Sequence, residues 1–306
     1  MDAALIILKQ IIIMFLLMMV GFILRRKNII DSTGTKQMSD LMIYICNPAI
    51  MVNSFNIVFS YDKLKEIGIT FVLSVIITII GIVTAAIFMR KEQASEKFGI
   101  VFCNAGFIGI PLIQSVVGKE AIFYLTIYLV SFTLFVWTYG VLLISKGQTK
   151  MNFKKIVTNP ALISVVLGLI IFISPIKLPE VIYSSFDLLV ACNTPLGMII
   201  LGAYLANSTM GQIVKNKVGY KVSFYRLVIA PLATIAFLSL IPAEYNDIRL
   251  TLLIASSTPV GVMLAIFSQM FSGDYEYGAR IVSLSTILSL LSLPVILSIA
   301  TILWQI

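Results

Sequence analysis

Long apolar runs alternate with short polar breaks along the whole chain. Ten runs reach or approach the length that crosses a bilayer. They cover about residues 3–24, 38–58, 65–89, 97–117, 121–145, 158–175, 180–206, 219–241, 248–271 and 278–304. A chain in lipid must satisfy its own backbone hydrogen bonds, so each run predicts a helix. The alternating ten-residue pattern of barrel strands is absent. The polar breaks are far shorter than a folded domain. The first run is too long for the apolar part of a cleaved leader and reads as a first spanning helix. The pattern predicts an all-α integral membrane protein with ten transmembrane helices.

Composition agrees. The 306 residues are 59% hydrophobic and 12% charged, with a mean hydropathy of +1.03, more apolar surface than a soluble domain of this size could cover. The net charge of +8 does not point to nucleic acid, because the basic residues gather in the breaks. Fifteen Lys and Arg lie in odd-numbered loops and five in even-numbered ones. The positive-inside rule then places the odd loops in the cytoplasm and both termini outside a plasma membrane. There is no histidine, which removes a His proton relay, a His metal site and a Ser-His-Asp triad. The three cysteines lie in apolar runs without metal-ligand spacing. No Gly-rich phosphate loop occurs. Neither an enzyme nor a cofactor is expected, and the partners are lipid and a small solute.

The chain repeats itself. Pro48 and Pro111 are 63 residues apart, Pro195 and Pro259 64. The first pair falls in helices two and four, the second in seven and nine. Two five-helix halves follow: 1–145, then a short cytoplasmic linker 146–157, then 158–306. Five is odd, so the halves insert upside down to each other, as in the inverted repeats of secondary carriers.

Four runs carry helix-breaking residues near mid-depth: "CNPA" at 46–49, "CNAGFIGIP" at 103–111, "CNTPLG" at 192–197 and "SSTPVG" at 256–261. All four are expected to be interrupted. In helices four and nine the glycines and prolines suffice to unwind a turn, and the two breaks can cross. Half-helix N-termini would then face the centre as an anion site beside free carbonyls suited to a cation. No carboxylate or lysine falls at mid-depth; Arg226, one or two turns from the cytoplasmic end of helix eight, can snorkel there, the alternative being a role in gating or in attracting anions from inside. Asp40 and Asp187 are expected near helix starts. For helices two and seven, a packing kink and direct ligation both stand.

"NAGFIGIPL" at 104–112 resembles the fourth-helix motif of the auxin efflux carrier family, and "CNPAIM" its second-helix Asn-Pro motif. "NTPLGMIILGAYLA" is similar to its seventh helix, "STPVGVMLAIFSQMF" to its ninth and "LSTILSLLSLPVI" to its tenth. The bacterial branch, with malate and malonate permeases, shares the short central loop. The resemblance implies two inverted five-helix repeats with crossed broken helices four and nine, as in bile-acid symporters and sodium–proton antiporters. Helices 1, 2, 6 and 7 would form a scaffold, a candidate homodimer contact; helices 3–5 and 8–10 would form a transport unit that moves organic anions by an elevator motion. The ninth-helix motif often has glutamine where this chain has Val260.

By motif position, Asn104 corresponds to the family's substrate-contacting asparagine, and Trp137 with Thr138 to the fifth-helix pocket lining. The candidate substrate-binding set is Asn104, Ala105, Gly106, Pro111, Asn47, Pro48, Thr133, Trp137, Thr138, Ser257, Thr258 and Pro259. Ser256, Gly261, Asn193, Thr194, Ser283 and Ser285 are candidates for an ion or support site. For the hydroxyls the alternative is helix packing; for Asn104 it is capping of the broken helix. The coupling ion would be Na+ or H+, unless the membrane potential alone drives transport. An anion channel or a non-transporting receptor is the alternative function.

Overall fold

The computed structural model describes residues 3–90, 93–145, 158–174, 178–206, 210–270 and 274–305. The linker at 146–157 lies outside the described residues. Apart from the short helix Met210–Val214, the helices coincide with the apolar runs. They are α1 (Ala3–Arg26), α2 (residues 32–54), α3 (Tyr61–Phe88), α4a (Ala94–Val101) and α4b (Ala105–Val116). Then follow α5 (Lys119–Ile144), α6 (Pro160–Ile173), α7 (Glu180–Leu205) and α8 (Lys217–Leu238). The chain ends with α9a (Asn246–Ser257), α9b (Met263–Met270) and α10 (Tyr275–Trp304). Among the described residues, five helices are long and apolar enough to cross a membrane unbroken.

Helix starts are set by polar caps. Asp31, Ser60, Asn159, Asn216 and Asp274 each accept a hydrogen bond from a backbone N–H of the following turn. The Asp31 cap draws the polar stretch from Ser32 onward into α2, so that helix begins before its apolar run. Asp40 therefore lies about two turns inside α2, and Asp187 about two turns inside α7, not at helix starts.

The expectation of four broken helices is corrected to two. In α2, Met42–Cys46 forms a π-turn, and Asn47 donates its backbone N–H to the carbonyl of Met42. The helix then runs on through Pro48 without interruption. The same device recurs. π-turns at Ala105–Gly109 and Tyr225–Ile229 each end two residues before a proline, Pro111 and Pro231. A proline ring collides with the carbonyl four residues back. In all three cases that carbonyl belongs to the wider π-turn, which accommodates the proline without a break. α7 carries Pro195 inside one continuous helix.

Backbone proximity organises the packing. α1 lies so close to α7 that a Cβ added at Gly21 would overlap the backbone of Ile199, and one at Gly202 the carbonyl of Met18. Small residues allow such approaches in lipid, where burial of apolar surface does not drive helices together. α2 packs on α6 and α7. Phe55, just past its end, fills the space over Gly168 of α6 and meets Phe123 of α5 edge-on at 5.3 Å. α3 packs on α4a and α5, and α8 and α9b pack on α10. Buried hydroxyls of α3, α8 and α10 mostly donate to carbonyls of their own helix, as Ser74, Thr78, Thr234 and Thr286 do. Large apolar side chains cover the outside; Leu291 and Ile302 are 76% and 78% exposed. Such a surface suits lipid and not water.

Candidate functional site

The two interruptions meet. Residues 102–104 and 258–262 leave the helical conformation and pair as an antiparallel bridge between Cys103 and Val260. Asn104 donates its backbone N–H to the carbonyl of Pro259 at 2.9 Å, and Gly261 donates to Phe102 at 2.9 Å. Val260 donates to the Ser285 hydroxyl of α10 at 3.1 Å. A Cβ on Gly261 would lie 2.7 Å from the Cys103 carbonyl oxygen, so glycine permits this approach. Each break thus supplies partners for the other's backbone groups, which satisfies them without water.

The origins of the two breaks differ. Thr258 precedes a proline and is extended, as such residues tend to be. The α4 break lies well upstream of Pro111, at residues 102–104. The strand-like contact with residues 259–261 holds it open.

Four helix ends converge here. α4a and α9a end at the crossing, and α4b and α9b begin there. Asn104 occupies the N-cap position of α4b, yet its side chain makes no capping bond. It is 4% exposed, and its amide Nδ2 meets no acceptor among the described residues. The buried Ser257 hydroxyl is likewise without a partner. An unmatched buried donor costs about 1–3 kcal/mol. Two residues on, nothing lies within 4 Å of a Cβ placed on Gly106. The α4b N-terminus therefore offers backbone N–H groups, an unmatched amide and adjoining space.

Arg226 of α8 lies at the crossing, not at the cytoplasmic end of its helix. It does not snorkel: it is 3% exposed and turned into the crossing. Nε donates to the Thr258 carbonyl at 3.0 Å, Nη1 to the Ile100 carbonyl at 3.0 Å, and Nη2 to the Ser256 carbonyl. The expectation of a crossing free of full charges is corrected accordingly. A lone arginine within an apolar run was the available signal.

The candidate residues divide into groups. Asn104, Ala105, Ser256, Ser257, Thr258, Pro259, Gly261 and Ser285 lie at the crossing, with Gly106 beside it. Thr258 donates its hydroxyl to Ala255 and Ser256 to Leu253. Pro111 is buried further along α4b, and Ser283 is buried in α10. Thr133, Trp137 and Thr138 are half-buried on α5. Trp137 packs edge-on to Phe267 of α9b at 5.3 Å, while Thr138 donates to its own helix.

Asn47, Pro48, Asn193 and Thr194 lie apart from the crossing, on α2 and α7. There Asn193 Nδ2 donates to Asn47 Oδ1 at 2.7 Å. Asn53 donates to Asp187 at 2.9 Å, and the hydroxyls of Ser39 and Tyr204 lie 3.2 Å apart. The Asn-Pro segment of α2 and the Asn-Thr-Pro segment of α7 thus face each other across one helix seam. Phe107 of α4b meets α7 at Gly197, where a Cβ would lie 3.2 Å from its ring. Replacing either asparagine of the pair by alanine is expected to lower stability by about 1 kcal/mol, with a coupling near 0.6 kcal/mol in a double-mutant cycle. Additive losses in detergent melting curves would exclude a direct bond.

Comparison with known proteins follows the same extent. The family described as Membrane transport protein matches residues 6–297. An uncharacterized transporter of Methanocaldococcus jannaschii is 25% identical over 294 residues, 92% of this chain and 94% of that protein. An uncharacterized transporter of Methanothermobacter thermautotrophicus is 25% identical over 298 residues, 94% of this chain and 96% of its own length.

Proposed function

The chain belongs to the auxin efflux carrier family of membrane transport proteins, and from that premise we propose that it carries small organic anions across the plasma membrane. The substrates are mono- or dicarboxylates, such as malate, malonate or auxin-like carboxylates. The observation that carries this reading is the α4b N-terminus: a buried unmatched Asn104 amide beside space at Gly106. Positive helix ends and amide donors favour a carboxylate there.

In this reading the helices form ten spans as two inverted repeats, with both termini outside. The α1, α2, α6 and α7 group, held by the glycine contact and the asparagine pair, is the scaffold. The group around the crossing is the transport unit, which shifts against it along the α4b–α7 contact in an elevator motion. Either the potential or a coupled ion gradient drives the cycle.

Purified protein in liposomes, offered a panel of labelled carboxylates under an imposed potential, tests the function. Saturable flux of at least one carboxylate is expected. A cytoplasm-negative potential should favour export by about 2.3 kcal/mol per charge per 100 mV. Folded protein that moves no carboxylate would remove the substrate class, and unitary current steps would make it a channel.

A further inference from the structure

The carbonyl ends at the crossing already hold a cation of the chain's own. α4a and α9a both direct their C-termini there, and each terminus carries roughly half an elementary negative charge. Their sum is close to one unit. Carbonyls of the same two ends, Ile100, Ser256 and Thr258, all accept from the single guanidinium of Arg226. Among the described residues no carboxylate forms an ion pair with it. A buried arginine without an acid is normally costly; here two helix termini take the acid's place. Arg226 lies in the π-turn Tyr225–Ile229, which precedes Pro231.

We propose that Arg226 is a tethered cation standing where a monovalent metal ion would otherwise neutralise the paired helix ends, and that this chain therefore needs no sodium to assemble its anion site. The transport half of this inference rests on the carrier reading; the stability half does not. With the cation fixed in the protein, no metal ion has to travel with the anion at the paired helix ends. Arg226 is a positioning residue: it holds α4a and α9a end to end and so sets where the α4b N-terminus faces the solute.

The test uses purified full-length protein in two arms. In the first, wild-type melting temperature and anion flux are measured with sodium replaced by choline. Both should be unchanged, the flux to within about twofold; a sodium activation of about tenfold or more would overturn the proposal. In the second arm, Arg226→Ala and Arg226→Lys are melted without substrate in choline, sodium, lithium and millimolar guanidinium. The alanine variant should melt lower and recover toward wild type with guanidinium or a small metal cation, and its flux should rise about fivefold or more with the same cation. The lysine variant should need less rescue. An alanine variant that melts cooperatively and ignores every cation would overturn the tethered-cation role. If neither variant folds, the wild-type sodium arm decides. If no carboxylate is transported at all, the melting data still decide the role of Arg226.

Discussion

Asn104→Asp is expected to reduce anion flux about a thousandfold while leaving the protein folded. The substitution is nearly isosteric. It replaces an unmatched amide donor at the N-cap of α4b by a carboxylate. Two like charges about 4 Å apart repel by about 4 kcal/mol at an effective dielectric constant of 20, close to three powers of ten in affinity. Asn104→Ala removes only one hydrogen bond to a charged group, about 1.5–3 kcal/mol, and should lower flux by about tenfold to a hundredfold. The new carboxylate lies at a positive helix end, which stabilises it, so the melting temperature should hold. Labelled-anion uptake and melting measured on the same preparations separate these effects. Asp at 104 with wild-type flux would remove this residue from the anion's path.

Gly202→Val is expected to prevent α1 from docking on α7. The added Cβ alone would overlap the Met18 carbonyl, and the obstacle is backbone, which cannot rotate aside. The helices must separate, and contacts along the whole pair weaken together. A loss of more than about 4 kcal/mol follows, enough to deplete folded protein. Gly21→Val should behave alike, since Gly21 faces the Ile199 backbone. The control is Gly68→Ala in α3, where nothing lies within 4 Å; it should be neutral or stabilise by up to about 1 kcal/mol. Monodisperse protein recovered from detergent, followed by melting, gives the comparison. A Gly202 variant that melts like wild type would show that the seam tolerates separation.

The sequence by itself determined the helices and the presence of breaks in α4 and α9. Apolar run length fixes where a chain must be helical in lipid, because no other local structure satisfies its backbone there. The boundaries followed to within about one turn, apart from α2, where the Asp31 cap outweighed the polar composition of residues 32–40. The Thr258-Pro259 break was legible because the restriction before a proline is local. "CNP" misled for an equally physical reason: a proline states that a carbonyl must move, not how, and a π-turn was enough.

Only the tertiary structure decided the site. The exact place where α4 opens is held by hydrogen bonds with the Pro259 carbonyl and the Gly261 N–H, in the other half of the chain. The Asn47–Asn193 bond joins two motifs that the sequence showed as separate candidates. Arg226 turned inward because three carbonyls from two helix ends form an acceptor cluster that no single segment contains. Each of these depends on groups brought together by packing, and hydrophobic periodicity along one segment carries no record of which distant backbone atoms will face it.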